Sequence, residues 1–293
     1  MEQLKIAFLS DIHLTESPFR MAFFRQALKN IRKPKNGYGV FVSVGDTTDH
    51  GFKEHWLAAQ QCMEDLRPAP DCVLALGNHD TWNRHADGES EYEASLPFYR
   101  GLRRRICGCT EEAPYYSTVL HGVPFIMLST EDSRVDGYVT ADQIAWLRAE
   151  LDKAAALHTF IFVISHWGLK GTHGLPATFG DKKYNEYTGS IGERSDEIAA
   201  LLKQYPNTVY VSGHSHMGWI SADQNRGYAS LERDGNLTLI NLPCYMFANH
   251  DGVRNEPGLG LEATVEGDRL TVCPKNFALN VPLKRYKTVI EYR

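Results

Sequence analysis

Five short segments gather side chains that can bind cations and move protons. They are Asp11-Ile12-His13, Gly45-Asp46-Thr47-Thr48-Asp49-His50-Gly51, Gly77-Asn78-His79-Asp80, Ser165-His166-Trp167 and Gly213-His214-Ser215-His216. Asp11, Asp46 and Asn78 offer carboxylate or amide oxygens; His13, His166, His214 and His216 offer imidazole nitrogens. That is too many donors for one tetrahedral zinc. They suit two divalent or trivalent cations a few Å apart that share one carboxylate. Oxygen and imidazole donors without a thiolate fit manganese, iron or zinc.

Each segment follows a short, continuous apolar run, at residues 6–9, 40–44, 72–76, 160–164 and 208–211. Runs without polar alternation predict strands covered by helices on both sides of a sheet. A first helix is predicted from Ser17 as N-cap and Pro18 in the first turn, with Met21, Phe24, Leu28 and Ile31 on its apolar face. A second follows from Trp56, Gln60, Met63 and Leu66. A third begins at Thr140 with Gln143 three residues on, a capping-box pattern, and continues through Ile144, Trp146, Leu147 and Leu151. Strand–helix–strand repetition implies right-handed crossovers and a parallel sheet, whose ligands bind at the carboxyl ends of the strands. Donors two apart, Asp11 with His13 and His214 with His216, are expected on one side of an extended segment. The glycines before Asp46, Asn78 and His214 permit close backbone approach.

Elsewhere, residues 115–120 and 123–128 around His121-Gly122 read as a hairpin. Residues 237–242, 259–265 and 269–273 read as antiparallel strands, with Glu266-Gly267-Asp268 as a turn. Residues 168–192 are Gly-rich without a clean period and read as a long loop, a length at which loops often carry function. No linker or repeat interrupts the chain, so one domain over residues 1–293 is expected, with core motifs at 6–216 and C-terminal strands in 237–293.

The chain of 293 residues has 31 basic against 36 acidic side chains, a formal net charge of −5. That balance argues against an extended nucleic-acid groove, which favours a basic domain. No apolar run reaches the ~20 residues that span a bilayer. The six cysteines are scattered and form no Cys-x-x-Cys pair, and nothing before Asp11 resembles a cleavable leader; a cytoplasmic protein with reduced thiols is expected.

The ordered series Asp-x-His, Gly-Asp-x-x-Asp, Gly-Asn-His-Asp, His and Gly-His-x-His resembles the calcineurin-like metallophosphoesterase superfamily. The resemblance covers residues 6–216 and implies a four-layer α/β/β/α double β-sandwich. It also implies that Asp11, His13, Asp46 and His216 hold one metal. Asp46, Asn78, His166 and His214 would hold the other, with a bridging hydroxide attacking phosphorus in line. His79 would face the leaving group as acid or hydrogen-bond donor, oriented by Asp49, and Asp80 would be structural.

Departures from other branches narrow the resemblance. His50 stands where Ser/Thr protein phosphatases carry a phosphate-gripping Arg, and Asp49 where purple acid phosphatases carry a metal-binding Tyr. Asp80 stands where nucleotidases carry Glu. The nearest branch is that of class III cyclic-nucleotide phosphodiesterases and related bacterial phosphohydrolases, so the expected substrate is a small phosphodiester. A phosphomonoesterase, a metal-dependent nuclease and a non-catalytic scaffold on the same fold are the alternatives. Arg84, His85 and His173, with Trp82, Lys182 and Lys183, are candidate substrate contacts because they follow ligand-bearing segments.

Overall fold

The computed structural model describes residues 3–82, 91–132, 136–179, 185–222, 229–246 and 257–291. The chain begins with β1 (Leu4–Leu9), α1 (Pro18–Arg32), β2 (Tyr38–Val44), α2 (Lys53–Met63), β3 (Asp71–Ala75) and the long helix α3 (Glu91–Cys107). Next come β4 (Tyr116–Leu120), β5 (Val123–Met127), α4 (Ala141–Ala155), β6 (Ile161–Ile164), α5 (Ser195–Leu202) and β7 (Thr208–Ser212). The C-terminal part adds β8 (Leu231–Asp234), β9 (Leu237–Asn241), β10 (Leu259–Glu266), β11 (Arg269–Asn276), β12 (Val281–Pro282) and β13 (Thr288–Glu291).

These strands form two sheets. The first runs β12-β11-β10-β1-β2-β3, with β13 also on β11; the second runs β4-β5-β6-β7-β9-β8. The five strands expected from the apolar runs are parallel to one another within their sheets, β1 to β2 to β3 and β6 to β7, while β1 meets β10 antiparallel on its other side. Side chains from both sheets meet in one apolar layer, where Phe8 packs on Phe162 and Phe162 stacks on Phe125. Residues of α1, α2 and α3 close the outer face of the first sheet, and those of α4 and α5 the outer face of the second. The order helix, sheet, sheet, helix is the four-layer sandwich that the family resemblance implies.

Local signals resolve unevenly. Ser17 precedes α1, but its side chain makes no cap, and Pro18 alone marks the helix start. Thr140 does cap α4, its Oγ1 accepting from the Gln143 main-chain N–H at 3.3 Å. The reciprocal half of the capping box is absent: Gln143 bonds both main-chain groups of Ser129 instead. Glu131 accepts the Thr140 N–H at 2.8 Å in its place. His121 and Gly122 both have positive φ, the geometry that closes a two-residue hairpin. One expectation needs correction. β9 is not simply antiparallel: it lies parallel to β7 and antiparallel only to the short β8. Its unbroken burial is that of an interior parallel strand.

Candidate metal centre

The donor segments all leave the carboxyl ends of β1, β2, β3, β6 and β7. They are not extended there, contrary to the expectation from two-residue spacing. Asp11, His13, Asp46, His214 and His216 all have φ between 46° and 65°. Left-handed backbone costs a non-glycine residue about 1–3 kcal/mol and persists only where the surroundings fix it. Here main-chain hydrogen bonds lace the first two segments together beyond the sheet: Asp11 N–H to Gly45 O (3.2 Å), His13 N–H to Asp46 O (2.9 Å) and Leu14 N–H to Thr47 O (3.0 Å).

Tight backbone approach then brings the donors together. A Cβ on Gly77 would lie 2.1 Å from Asp46 Oδ1, and one on Gly213 would lie 1.9 Å from Ser10 Oγ and 2.6 Å from Asp11 Oδ2. Asp11, His13, Asp46 and His216 each place a donor atom within 4.8 Å of the others, and Asp46, His166 and His214 do the same. Asp46 belongs to both groups. Its Oδ1 accepts the His79 main-chain N–H at 2.9 Å, which sets Asn78 beside it. Asn78 Oδ1 is buried and accepts no hydrogen bond among the described residues.

The imidazoles are oriented from behind. Nδ1–H of His166 donates to Val44 O at 2.9 Å, and Nδ1–H of His13 donates to Asp49 Oδ1 at 3.1 Å. Each ring therefore turns Nε2 inward, the arrangement by which proteins fix the tautomer of a metal-ligating histidine. His13 Nε2 lies 3.2 Å from His216 Nε2, His166 Nε2 lies 3.1 Å from Asp46 Oδ2, and His216 Nε2 lies 3.0 Å from Asp11 Oδ1.

Electrostatics give the same picture. Burial would raise Asp11 and Asp46, but the facing imidazoles outweigh it and hold both well below the usual carboxylate range. Burial would lower His166, but Asp46 and Asp11 lift it to about 9. Burial lowers His13 despite the opposing bond to Asp49. Two buried carboxylates thus demand positive charge. Divalent cations would supply it, and the oxygen and imidazole donors present fit such ions.

Other candidate residues lie around this core. His79 packs edge-on against His13 at 4.6 Å, and its Nδ1–H donates to the main-chain carbonyl of Asp49 at 2.7 Å. Asp49 therefore orients His79 through its backbone rather than its carboxylate, which goes to His13 and to Arg20 Nη1 (3.0 Å). Asp80 accepts the N–H groups of Thr47, Thr48 and Gly77 and the Thr48 hydroxyl, tying the second segment to the third. His173 is in no donor cluster among the described residues. It is buried, donating from Nδ1 to Ala229 O and from its main-chain N–H to Glu232. Arg84, His85, Lys182 and Lys183 lie outside the described residues.

Two residues escaped the sequence reading. Arg20 reaches back from the first turn of α1 to His13 O (2.7 Å) as well as to Asp49, and only the helix geometry reveals it. Cys244 joins a third buried group with His13 and His216, from a segment more than two hundred residues away from His13.

The family model for calcineurin-like phosphoesterases matches residues 4–218. The chain belongs to that family. No curated relative matches it significantly by sequence. Among solved structures, this phosphoesterase resembles a dimetal phosphatase from Danio rerio, with a TM-score of 0.64 at 12% identity over 99% of each chain. It also resembles a purple acid phosphatase from yellow lupin (Lupinus luteus) seeds, with a TM-score of 0.64 at 11% identity. That match covers 99% of this chain and 54% of the lupin one. GAP50, described as the anchor in the inner membrane complex of Plasmodium, matches with a TM-score of 0.59 at 14% identity over 99% and 89% of the two chains. At these identities the likeness shows the fold. No helix among the described residues is long and apolar enough to cross a membrane.

Proposed function

We propose that this phosphoesterase hydrolyses a small phosphodiester at a centre of two metal ions (manganese, iron or zinc). Asp11, His13, Asp46 and His216 hold one ion; Asp46, Asn78, His166 and His214 hold the other. The observation that carries this reading is the membership of Asp46 in both buried donor groups. When bound, the two ions neutralise phosphoryl oxygens and acidify a water.

The chain's own residues do the rest. The left-handed backbone at five of the donors fixes the centre before substrate arrives. Asp49 and Val44 hold the rings of His13 and His166 so that their Nε2 atoms face inward. Because the Asp49 carbonyl accepts from His79 Nδ1, the second ring nitrogen of His79 is left to serve the leaving group.

The preference for a diester rests on the edge of the site. A phosphomonoester dianion calls for a cationic grip. Arg20 is engaged with His13 O and Asp49, and His50 stacks on Trp82 (5.6 Å) and Phe52 (5.4 Å). These aromatic faces suit the second ester arm of a diester. The acidic net charge favours a small substrate over nucleic acid. The pairing of β10 with β1 supports reading residues 1–293 as one domain. Six cysteines without a disulfide support a cytoplasmic location.

The test compares kcat/KM of the metal-loaded enzyme for bis(4-nitrophenyl) phosphate and 4-nitrophenyl phosphate. The diester is expected to be the better substrate. A clear monoester preference would overturn the diester assignment and leave the monoesterase alternative.

A further inference from the structure

Because β9 runs parallel to β7, its carboxyl end falls at the same edge as the donor segments. Its last residue, Asn241, pairs with Ser212, the last residue of β7. Asn241 is buried at 1% exposure. Its side-chain nitrogen donates to Ser215 Oγ at 2.9 Å and faces the main-chain oxygens of Met217 (3.4 Å) and Leu242 (3.3 Å). Carbonyl oxygens only accept, so it is the amide nitrogen that must face them. The amide oxygen accepts from the Ser212 hydroxyl at 3.4 Å. Ser215 and Met217 are the two chain neighbours of His216. One buried amide thus grips the chain on both sides of His216, whose φ is 55°.

A left-handed residue other than glycine persists only where its surroundings fix it. At Asp11 and His13, main-chain bonds to the second donor segment do so. At His214, its own N–H bonds Asp11 Oδ2 (3.2 Å) and the Ser215 N–H bonds Gly213 O (2.7 Å). Beyond that point the grip on His216 comes from Asn241. The Nε2 of His216 then stands 3.0 Å from Asp11 Oδ1 and 3.2 Å from His13 Nε2. We infer that Asn241 is a positioning residue of the metal centre, holding His216 in its ligating conformation through Ser215 and Met217. It therefore supports the ion position of Asp11, His13, Asp46 and His216 rather than that of Asp46, Asn78, His166 and His214. The inference rests on the dinuclear reading of the site and deepens it. Asn241 acts through the backbone of His216, not as a ligand.

Manganese(II) titration of the full chain, with free ion counted by its paramagnetic resonance signal, tests this in two backgrounds. His166→Ala removes a donor of the second position, and His216→Ala removes a donor of the first. Adding Asn241→Ala to His166→Ala is expected to weaken the remaining ion about 10–100-fold, the scale of losing an outer partner at a metal site. Adding it to His216→Ala is expected to leave the remaining affinity unchanged. A residue that only stabilises the fold would not distinguish the two. Equal weakening in both backgrounds, weakening in neither, or the reverse order would overturn the assignment. Ser215→Ala removes only the hydroxyl that Asn241 holds, and should show the same asymmetry to a smaller extent; equal effects there would overturn the assignment even if Asn241→Ala does not fold. Fewer than two equivalents of manganese bound by wild type would instead overturn the dinuclear reading beneath it.

Discussion

Asp49 holds two histidines with two different parts of itself: its carboxylate accepts from His13 Nδ1 at 3.1 Å, and its main-chain carbonyl accepts from His79 Nδ1 at 2.7 Å. Arg20 steadies that carboxylate at 3.0 Å, and together with His13 it holds the Asp49 acid well below the usual carboxylate range against the opposing effect of burial. A side-chain substitution should therefore disturb His13 and spare His79. Asp49→Ala is expected to cost about 10–100-fold in metal affinity, as loss of an outer partner of a ligating histidine does elsewhere. Competition with a chelating indicator measures it, and turnover should recover largely at saturating metal.

His79 is expected to act on the leaving group rather than on the metals. His79→Asn should keep normal metal content and lose about 10²–10⁴-fold in kcat for a diester with a poor leaving group. The loss should shrink for a nitrophenolate leaving group, which needs little protonation. Equal losses for both would indicate a positioning role only.

Asp80 is expected to carry stability. Burial and the nearby Asp46 push its carboxyl up to about 6, although three main-chain N–H groups point at it. Asp80→Ala would leave those donors buried and unsatisfied, at about 1–3 kcal/mol each. Asp80→Asn keeps an acceptor oxygen and should be much milder. Urea unfolding of the two variants checks the order.

A pH effect is expected far from the metal centre. Glu262 meets Lys275 Nζ at 3.2 Å, Lys5 Nζ at 3.7 Å and the hydroxyl of Tyr38. Burial would raise its carboxyl, but the Tyr38 hydrogen bond and the two lysines hold it below its ordinary 4.5. A depressed acid stabilises the fold above its unfolded value and loses that contribution as pH falls through the folded one. Glu262→Gln should thus lower stability at neutral pH and flatten its decline below about pH 4.5. Parallel acid limbs in the two proteins would contradict this.

Much of the site was legible because every donor directly follows an apolar run, and such runs fix strand ends. What the sequence could not show is backbone conformation and long-range approach. Two-residue spacing suggested extended segments at Asp11–His13 and His214–His216, whereas all four of these residues are left-handed, and at Asp11–His13 inter-loop hydrogen bonds hold them so. Cys244 reaches His13 only because the segment after β9 crosses between sheets. The long α3 was missed for a different reason. Its interior holds Pro97, and the fully buried Arg103 stacks on Tyr99 and Tyr116, a packing no charge pattern announces. β8 was missed because its outer residues are largely exposed and carry no buried pattern.

The central claim is that one carboxylate, Asp46, joins two metal positions that together cleave phosphoesters. It is tested most directly by metal content and phosphodiester turnover measured side by side in wild type and Asp46→Asn. Two equivalents of metal per chain are expected in wild type, with turnover abolished by a chelator and restored by added metal. Asp46→Asn should lose metal from both positions and turnover with it. Turnover that survives both chelation and Asp46→Asn would contradict the account.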